Sequence, residues 1–175
     1  MNAARDMAWL GQPHMVKKIE KVFGEMTSSM MKYQTPGTPN HGLILAKEEK
    51  DKLDPERHSL FRTGTGMALY LIKHSRPDIA NAVRELSKCI SAPNAAAFKE
   101  MLRILKYIID TKNYGLKVKP VKSEEWYIEV YSDSDWAGDK DTRKSVTGYV
   151  IFVCGVLVCF RSKSQQCISL SSSEV

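Results

Sequence analysis

Apolar positions recur at helical spacing along the first part of the chain. Val16, Ile19 and Phe23 follow one another at intervals of three or four residues, which predicts a short amphipathic helix. Pro13 suits the first turn of this helix, and Gly24 is predicted to end it.

Two further helices are predicted on either side of residue 75. Residues 66–74 are nearly continuously apolar and predict a buried helix. Residues 75–78 are predicted to begin the next helix. Ser75 is a suitable cap, Pro77 is tolerated in the first turn, and the charge of Asp78 is favourable at the positive end of the helix dipole. The apolar stripe of this second helix is predicted to consist of Ile79, Ala82, Val83, Leu86 and Ile90.

Residues 95–110 have the most regular helical pattern in the chain. Lys99, Arg103 and Lys106 fall together on one side of this helix, within about 60° at 3.6 residues per turn. The apolar face on another side is predicted to consist of Phe98, Met101, Leu102, Leu105 and Ile109.

The hydrophobic period changes from helical to two after Pro120. Trp126, Ile128 and Val130 alternate with more polar residues, which predicts a half-buried strand that ends at Asp133. Trp126 is therefore expected to lie in the core. A chain with helices first and strands afterwards predicts an α+β fold with a boundary near residue 120.

The last third of the chain contains signals for more strands. Residues 148–160 predict two strands joined tightly around Gly155, and residues 166–170 predict another short strand. Residues 171–175 contain a Ser-x-x-Glu pattern of the kind that begins a helix. The sheet is expected to be incomplete within these 175 residues.

Composition indicates a globular, intracellular protein. Hydrophobic residues make up 43% and charged residues 26% of the sequence. The longest apolar run, from Tyr149 to Phe160, is too short to cross a bilayer, so no membrane contact is expected. The four cysteines show no zinc-ligand spacing and are expected to be buried, reduced thiols in the cytoplasm or nucleus.

Charge is distributed unevenly along the chain, whose formal net charge is +6. Residues 61–123 contain twelve Lys or Arg against four Asp or Glu, whereas residues 124–175 are acidic overall. A basic region beside an acidic one is consistent with phosphate binding in one place and cation binding in another. A solvated basic face without a ligand explains the same pattern equally well.

Four aspartates lie at or after the end of the strand predicted to begin near Trp126. They are Asp133, Asp135, Asp139 and Asp141. Carboxylates at a strand end are suitable ligands for Mg²⁺, which prefers oxygen and needs few protein carboxylates when substrate phosphates also bind it. Aspartate is also common in turns, and the residues taken alone favour a polar turn over a metal site.

The sequence resembles a known family over essentially its whole length. Residues 131–152, which begin Tyr-Ser-Asp-Ser-Asp-Trp-Ala-Gly-Asp, closely resemble the opening of the ribonuclease H domain in copia-type retrotransposon Pol polyproteins. Residues 74–88 and 105–116 are similar to the segment that joins reverse transcriptase to ribonuclease H in that family. Residues 9–24 are similar to the element that follows the polymerase palm.

The resemblance implies a division into two parts and a set of site residues. Residues 1–120 would form a helical segment like the reverse transcriptase thumb and connection, and residues 121–175 the truncated start of a ribonuclease H-like antiparallel sheet. Asp133 would be the first catalytic carboxylate and a Mg²⁺ ligand, with Asp135 a weaker ligand. The remaining catalytic carboxylates would lie beyond residue 175, just after Glu174 and farther downstream. The 175 residues alone are therefore expected to be inactive and not to bind Mg²⁺ stably, although the full-length enzyme would.

The same resemblance favours an RNA–DNA hybrid as the partner of the basic region, along with the remainder of the polyprotein. Lysine and arginine bind phosphates without regard to sequence, as such a partner requires. The predicted contact residues are Arg84, Lys88, Lys99, Arg103, Lys106 and Lys112. The alternative hypothesis is a non-catalytic relic or a module that only binds nucleic acid.

Overall fold

The structure, a computed structural model, describes residues 6–38, 43, 45–46, 48–121, 125–135, 143–168 and 171. Within these residues it is an α+β fold with four α-helices and two antiparallel sheets. Contacts divide the chain into two compact units, a helical unit from Gly11 to Gly115 and a sheet unit formed by Met1–Leu10 with Leu116–Val175.

The helical unit contains α1 (Pro13–Thr27), α2 (Pro55–His74), α3 (Ala80–Lys88) and α4 (Ala95–Asp110). The predicted amphipathic helix is α1, and Val16, Ile19 and Phe23 are buried as expected. The prediction that Gly24 ends this helix is wrong. The helix continues to Thr27, whose buried hydroxyl donates a hydrogen bond of 2.9 Å to the carbonyl oxygen of Phe23. An interior glycine costs a helix only about 1 kcal/mol and does not by itself end it.

The second helix begins eleven residues earlier than its apolar stretch suggests. Asp54 caps α2 by accepting a hydrogen bond of 2.9 Å from the backbone N–H of Arg57, and Pro55 occupies the first turn. The early turns of α2 are charged and exposed, so hydrophobic periodicity alone did not reveal them. Leu69 and Tyr70 are each 42% exposed, which corrects the expectation that residues 66–74 are wholly buried.

Ser75 does not cap the following helix, contrary to the prediction. It is buried at the end of α2, where its backbone N–H bonds to the carbonyl oxygen of Leu71. A short 3₁₀ turn, Pro77–Ile79, leads instead into α3, which has no side-chain cap. Asp78 is bonded to Arg76 rather than placed freely at a helix end.

The helix predicted over residues 95–110 is confirmed as α4, with Asn94 as its cap. Its buried face is rotated from the predicted one, because α1, α2 and α3 all pack against α4 and determine which side is covered. Phe98, Leu102 and Ile109 are only partly buried. The fully or nearly fully buried residues of α4 are Ala97, Met101, Ile104, Leu105, Tyr107 and Ile108.

Every buried apolar side chain of the core, in the part of the chain that the structure describes, belongs to the helical unit. Most of these residues lie on the facing sides of α1 to α4. Gly64 of α2 marks a tight contact, since a methyl group there would approach the sulfur of Met101 to 2.6 Å. The helices therefore contain the one core that excludes water among the described residues.

The sheet unit contains two separate antiparallel sheets. Strand β1 (Ala8–Leu10) pairs with β2 (Leu116–Val118), and Ala8 lies opposite Val118. These three-residue strands were not predicted, because alternation cannot be recognised over so few residues. The second sheet has the order β3-β4-β5, formed by residues Ile128–Ser134, Val146–Val153 and Val156–Ser164.

The tight turn predicted around Gly155 is confirmed as the connection between β4 and β5. Cys154 and Gly155 have positive φ angles of 47° and 74°. Two consecutive residues with positive φ are typical of the two-residue hairpin turns whose twist matches that of the strands. The strand predicted over residues 166–170 is absent from its described part, residues 166–168, which form a bend after β5.

The apolar face predicted for the strand at residue 126 exists but is not buried. Trp126 is 86% exposed, and Ile128 and Val130 of β3 are 67% and 61% exposed. No described element covers this side of the sheet, so the expectation of a core Trp126 is wrong.

The four cysteines are free thiols, and their burial differs. Cys89 is buried at the end of α3, and this burial, with a smaller effect of Glu85, raises the pKa of its thiol. Cys154 is partly buried, whereas Cys159 and Cys167 are exposed, so the expectation of four buried thiols is correct for Cys89 alone. In the described part of the chain no helix has the length and apolar character of a bilayer-spanning segment.

Candidate metal and nucleic-acid sites

The Asp133 carboxylate lies in solvent near the end of β3, the edge strand of the three-stranded sheet. In the antiparallel register Asp133 is opposite Gly148 of β4, which is in turn opposite Ser162 of β5. Residues opposite each other in a sheet share a face, so Asp133 shares its face with a glycine and a serine. The residues directly opposite Asp133 on that face are therefore small, whereas Tyr131 and Val150 lie one pair further along it.

Gly148 leaves open space beside Asp133. A methyl group at position 148 would lie 3.7 Å from the Asp133 carbonyl oxygen and 3.9 Å from that of Arg161, both ordinary contacts. The glycine is thus not required by the backbone at this position, and its φ angle is not positive. Because it is a glycine, no side chain stands directly opposite the Asp133 carboxylate on β4.

Asp135 differs from Asp133 because its carboxylate is bonded to the backbone. One carboxylate oxygen accepts a hydrogen bond from the N–H of Val146, and the N–H of Asp135 donates to the carbonyl oxygen of Val146 at 3.1 Å. Asp135 thereby joins the end of β3 to the first residue of β4. The Asp135 carboxylate is therefore already bonded within the sheet. Of the two aspartates, only Asp133 has a carboxylate without such a bond among the described residues.

The other acidic residues of the predicted site, Asp139, Asp141 and Glu174, lie outside the described residues. Within the described ranges no three His, Cys, Asp or Glu side chains are grouped closely enough to hold a metal ion. Asp133 fits one oxygen ligand of a Mg²⁺ ion that also takes oxygens from phosphate, water and other carboxylates. The described residues by themselves do not make a complete metal site.

The predicted basic stripe on α4 is divided by its contacts. Lys99 is exposed and forms no ion pair within the described residues. Lys106 forms an ion pair of 2.9 Å with Asp110, and their side chains are only 15% and 12% exposed. Two members of the stripe that looked equivalent therefore differ in their availability to a phosphate.

Arg103, the third member of the stripe, holds a loop. Its Nη2 atom donates hydrogen bonds of 3.2 Å to the hydroxyl of Thr35 and the carbonyl oxygen of Gly37. Its guanidinium lies 4.4 Å from the centre of the Tyr33 ring. Glu100, one turn earlier, accepts bonds from the N–H and hydroxyl of Thr38 at 2.6 and 2.9 Å. Arg103 and Glu100 thus fix residues 33–38 against α4.

The remaining predicted contacts lie on α3 and after α4. Arg84 and Lys88 both form ion pairs with Glu85, at 2.7 and 3.1 Å. Lys112 is exposed and unpaired within the described residues. Of the six predicted cations, Lys99 and Lys112 are those that the structure leaves available.

Three exposed lysines on α1 were not among the predicted contacts. Lys17, Lys18 and Lys21 are exposed and lie away from the buried residues of that helix. Their positions relative to Val16 and Ile19 on a helical wheel would have indicated this. They extend the exposed positive charge of the helical unit beyond the region first considered.

A buried charged cluster was also missed. Arg76 is 2% exposed and forms two hydrogen bonds of 2.9 Å with the carboxylate of Asp78. It also donates to the hydroxyl of Thr111 at 2.8 Å, and its guanidinium lies 5.6 and 5.5 Å from the ring centres of Tyr107 and Tyr114. The cluster ties the α2–α3 connection to the end of α4. No sequence signal links position 76 to residues thirty-five positions later.

Comparison with known proteins identifies the family, although no protein-family model and no solved structure matches the chain. The chain is 34% identical to the retrovirus-related Pol polyprotein from transposon RE1 of Arabidopsis thaliana, over 80% of this chain and 9% of that protein. It is 29% identical to that from transposon TNT 1-94 of Nicotiana tabacum, over 95% of this chain and 12% of that protein.

The chain is also 37% identical to secreted RxLR effector protein 161 of Plasmopara viticola, over 65% of this chain and 79% of that protein. The two Pol polyproteins are far longer than the chain, which spans about a tenth of their length. Because the similarity to them extends over most of these 175 residues, the chain belongs to the family of copia-type retrotransposon Pol polyproteins.

Proposed function

We propose that the sheet unit is part of a ribonuclease H-like nuclease site in which Asp133 supplies one oxygen ligand to Mg²⁺. We further propose that the helical unit is a connection-like segment that contacts an RNA–DNA hybrid. The polyprotein that contains both would copy RNA into DNA and cleave the RNA strand of the hybrid. The proposal rests on family membership and on the open carboxylate of Asp133 opposite Gly148.

The chemistry of the carboxylate supports this assignment. Two Mg²⁺ ions activate a water molecule and stabilise the leaving oxygen in phosphodiester cleavage, and several carboxylates are needed to hold them. Near the end of β3 the described residues supply two aspartates, Asp133 and Asp135, and only the carboxylate of Asp133 is not bonded to the backbone. The 175-residue chain is therefore expected to show no cleavage of a labelled RNA–DNA hybrid with Mg²⁺. Cleavage that disappears in Asp133→Ala would contradict this expectation.

The role of Asp133 is tested by mapping where a paramagnetic ion binds. Mn²⁺ prefers the same oxygen ligands as Mg²⁺ and broadens the NMR signals of nearby amides. A transiently bound ion is sufficient for such broadening, and the phosphates of a hybrid supply the oxygens that the described residues lack. In the presence of a hybrid, transiently bound Mn²⁺ is therefore expected to broaden the amide signals of residues 133 and 148 in the wild-type chain but not in Asp133→Asn. Glu129→Gln is the control, because Glu129 lies on the same strand and face.

Two results would contradict the proposal. The first is the absence of broadening around Asp133 in the wild-type chain, and the second is broadening that persists unchanged in Asp133→Asn. The alternative function, a module that only binds nucleic acid, predicts hybrid binding that depends neither on Asp133 nor on a divalent ion. Exposed lysines on α1 and α4 are the observation that favours this alternative.

A further inference from the structure

The pairing of β3 with β4 ends at Asp135, where a side-chain oxygen takes the place of a backbone acceptor. In this register Asp135 follows Ser134, which is opposite Thr147, so its next partner is Val146. A hydrogen-bonded antiparallel pair exchanges two backbone bonds. Asp135 donates its N–H to the carbonyl oxygen of Val146, but the return bond from the Val146 N–H goes to the Asp135 carboxylate. The side chain replaces the backbone acceptor, and β3 ends there.

The start of β4 is also hydrogen-bonded on its other side, to the residue that follows β5. Ser145, which precedes Val146, is the one buried residue of the sheet unit in its described part. Its carbonyl oxygen accepts a hydrogen bond of 2.8 Å from the N–H of Gln165, just past β5. The Gln165 side chain donates to the Thr147 hydroxyl at 2.9 Å. Asp135 is therefore attached to a well-bonded part of β4.

We infer that Asp135 is a positioning residue for Asp133 and not a metal ligand in its own right. Asp133 lies two residues before Asp135. Its pair with Gly148 is next to the end of the strand that Asp135 holds. If Val146 lost its acceptor, the strand end would fray and the Asp133 carboxylate would no longer be held in one place beside Gly148. This inference rests on the proposed role of Asp133 in metal binding and assigns the second aspartate of the motif a different task.

Two substitutions separate positioning from ligation. Asp135→Asn keeps a side-chain oxygen that accepts from the Val146 N–H but removes the negative charge, whereas Asp135→Ala removes both. For a positioning residue, the asparagine variant retains the Val146 hydrogen bond and the Mn²⁺ broadening at Asp133. The alanine variant loses both. A metal ligand would lose the Mn²⁺ effect equally in the two variants, because the charge is what binds the ion.

The measurements are amide hydrogen exchange at Val146 and Mn²⁺ broadening at Asp133, both on the 175-residue chain. Exchange at Val146 is expected to become about tenfold faster or more in Asp135→Ala, as a lost charge-assisted bond implies, and to change little in Asp135→Asn. Exchange at Phe152, in the middle of β4, serves as the internal control and is expected to stay the same in both variants.

The possible failures are distinguishable. Unchanged Val146 exchange in Asp135→Ala overturns the structural half of the inference, whatever the metal does. Loss of Mn²⁺ broadening in Asp135→Asn with normal Val146 exchange overturns positioning and makes Asp135 a ligand. Absence of broadening in the wild-type chain overturns the proposed role of Asp133 and, with it, any positioning role for Asp135.

Discussion

At the scale of single residues, charged side chains divide into those that hold the fold together and those that remain in solvent. Arg76 and Asp133 are the extremes of this division. Arg76 is 2% exposed and has bonds to Asp78 and Thr111, whereas Asp133 is exposed beside a glycine. A buried arginine stays charged, so its fixed partners are a condition of folding. An exposed carboxylate that has no bond within the fold is available for a ligand.

Removal of Arg76 is expected to destabilise the helical unit strongly. Arg76→Ala leaves Asp78 without its positively charged partner and opens space beside Tyr107 and Tyr114. We expect a loss of about 3 kcal/mol in the free energy of unfolding. Urea denaturation followed by circular dichroism measures this. Arg57→Ala is the matched control, because the Arg57–Asp54 pair is exposed, and it is expected to cost less than about 0.5 kcal/mol. Equal losses in both variants would contradict the assignment.

Tyr107 is expected to make the stability of the helical unit sensitive to alkaline pH. Burial, followed by the nearby charge of Asp78, raises the pKa of Tyr107, while Arg76 opposes this effect. The hydroxyl also donates a hydrogen bond of 3.3 Å to Asp78. Because the folded chain holds this proton more tightly than the unfolded chain, stability is full below the ordinary tyrosine pKa of about 10 and falls as pH rises through the folded value.

The measurement compares the wild-type chain with Tyr107→Phe from pH 8 to pH 11. The phenylalanine variant is expected to be less stable near pH 8 by about 1 kcal/mol, owing to the lost hydrogen bond. The difference is expected to shrink above pH 10, because only the wild-type chain must deprotonate a buried phenol. A difference that is constant across this range would contradict the raised pKa.

At the scale of elements, α4 combines core packing with loop attachment on opposite sides. Its inner face contacts α1, α2 and α3, and its outer side holds residues 33–38 through Glu100 and Arg103. A helix with charged residues all along its outer side resembles a phosphate-binding surface in the sequence. The structure shows that some of these charges already have partners within the fold, so their number overestimates what a nucleic acid can reach.

Hybrid binding is therefore expected to depend unequally on the predicted cations. Lys99→Ala with Lys112→Ala should weaken binding and reduce the slope of log affinity against log salt by about two, since each lost phosphate contact contributes about one. Lys106→Ala should have a smaller effect, because Lys106 is paired with Asp110. Fluorescence anisotropy over a range of salt concentrations measures both. Lys50→Ala, at an exposed pair with Glu48, is the control.

If binding did not depend on salt and was unchanged in the double variant Lys99→Ala, Lys112→Ala, the predicted nucleic-acid contact through α4 and the residues just after it would be wrong. A larger loss from Lys106→Ala than from the double substitution would instead show that the Lys106–Asp110 pair opens on binding. Arg103 is unsuitable for this comparison, because its substitution would also release residues 33–38.

At the scale of the whole molecule, the two units differ in how much apolar surface they bury. The described core lies in the helical unit, whereas Ile128, Val130 and Val158 of the sheet unit are each more than half exposed. Among the described residues, a sheet with such exposed apolar side chains gains little from burial, and no described strand pairs with the outer edge of β3. Stability is thus expected to differ between the units within one chain.

Hydrogen exchange is expected to report this difference. Amides of α4 near Leu105 should exchange at least tenfold more slowly than those of β4 near Ile151, because the former lie in the core. Mass spectrometry of peptides from residues 77–110 and 126–170 makes the comparison. Equally strong protection in both regions would contradict the expected difference.

Local patterns in the sequence were enough to predict several elements. The bounds of α4 and the turn at Gly155 depend on residues close together in the chain, so periodicity and backbone preference revealed them. The family was visible for the same reason, in contiguous motifs such as residues 131–135. The placement of Asp133 near a strand end also followed from alternation alone.

Contacts between distant residues were decided only by the tertiary structure. The pairing of β1 with β2, the attachment of residues 33–38 by Arg103, and the cluster around Arg76 each join segments separated by thirty or more residues. A hydrogen bond depends on where the chain path brings donor and acceptor, which local composition does not encode. The sequence by itself therefore determined which residue types were available, and the fold decided which of them, such as Asp133, were left free.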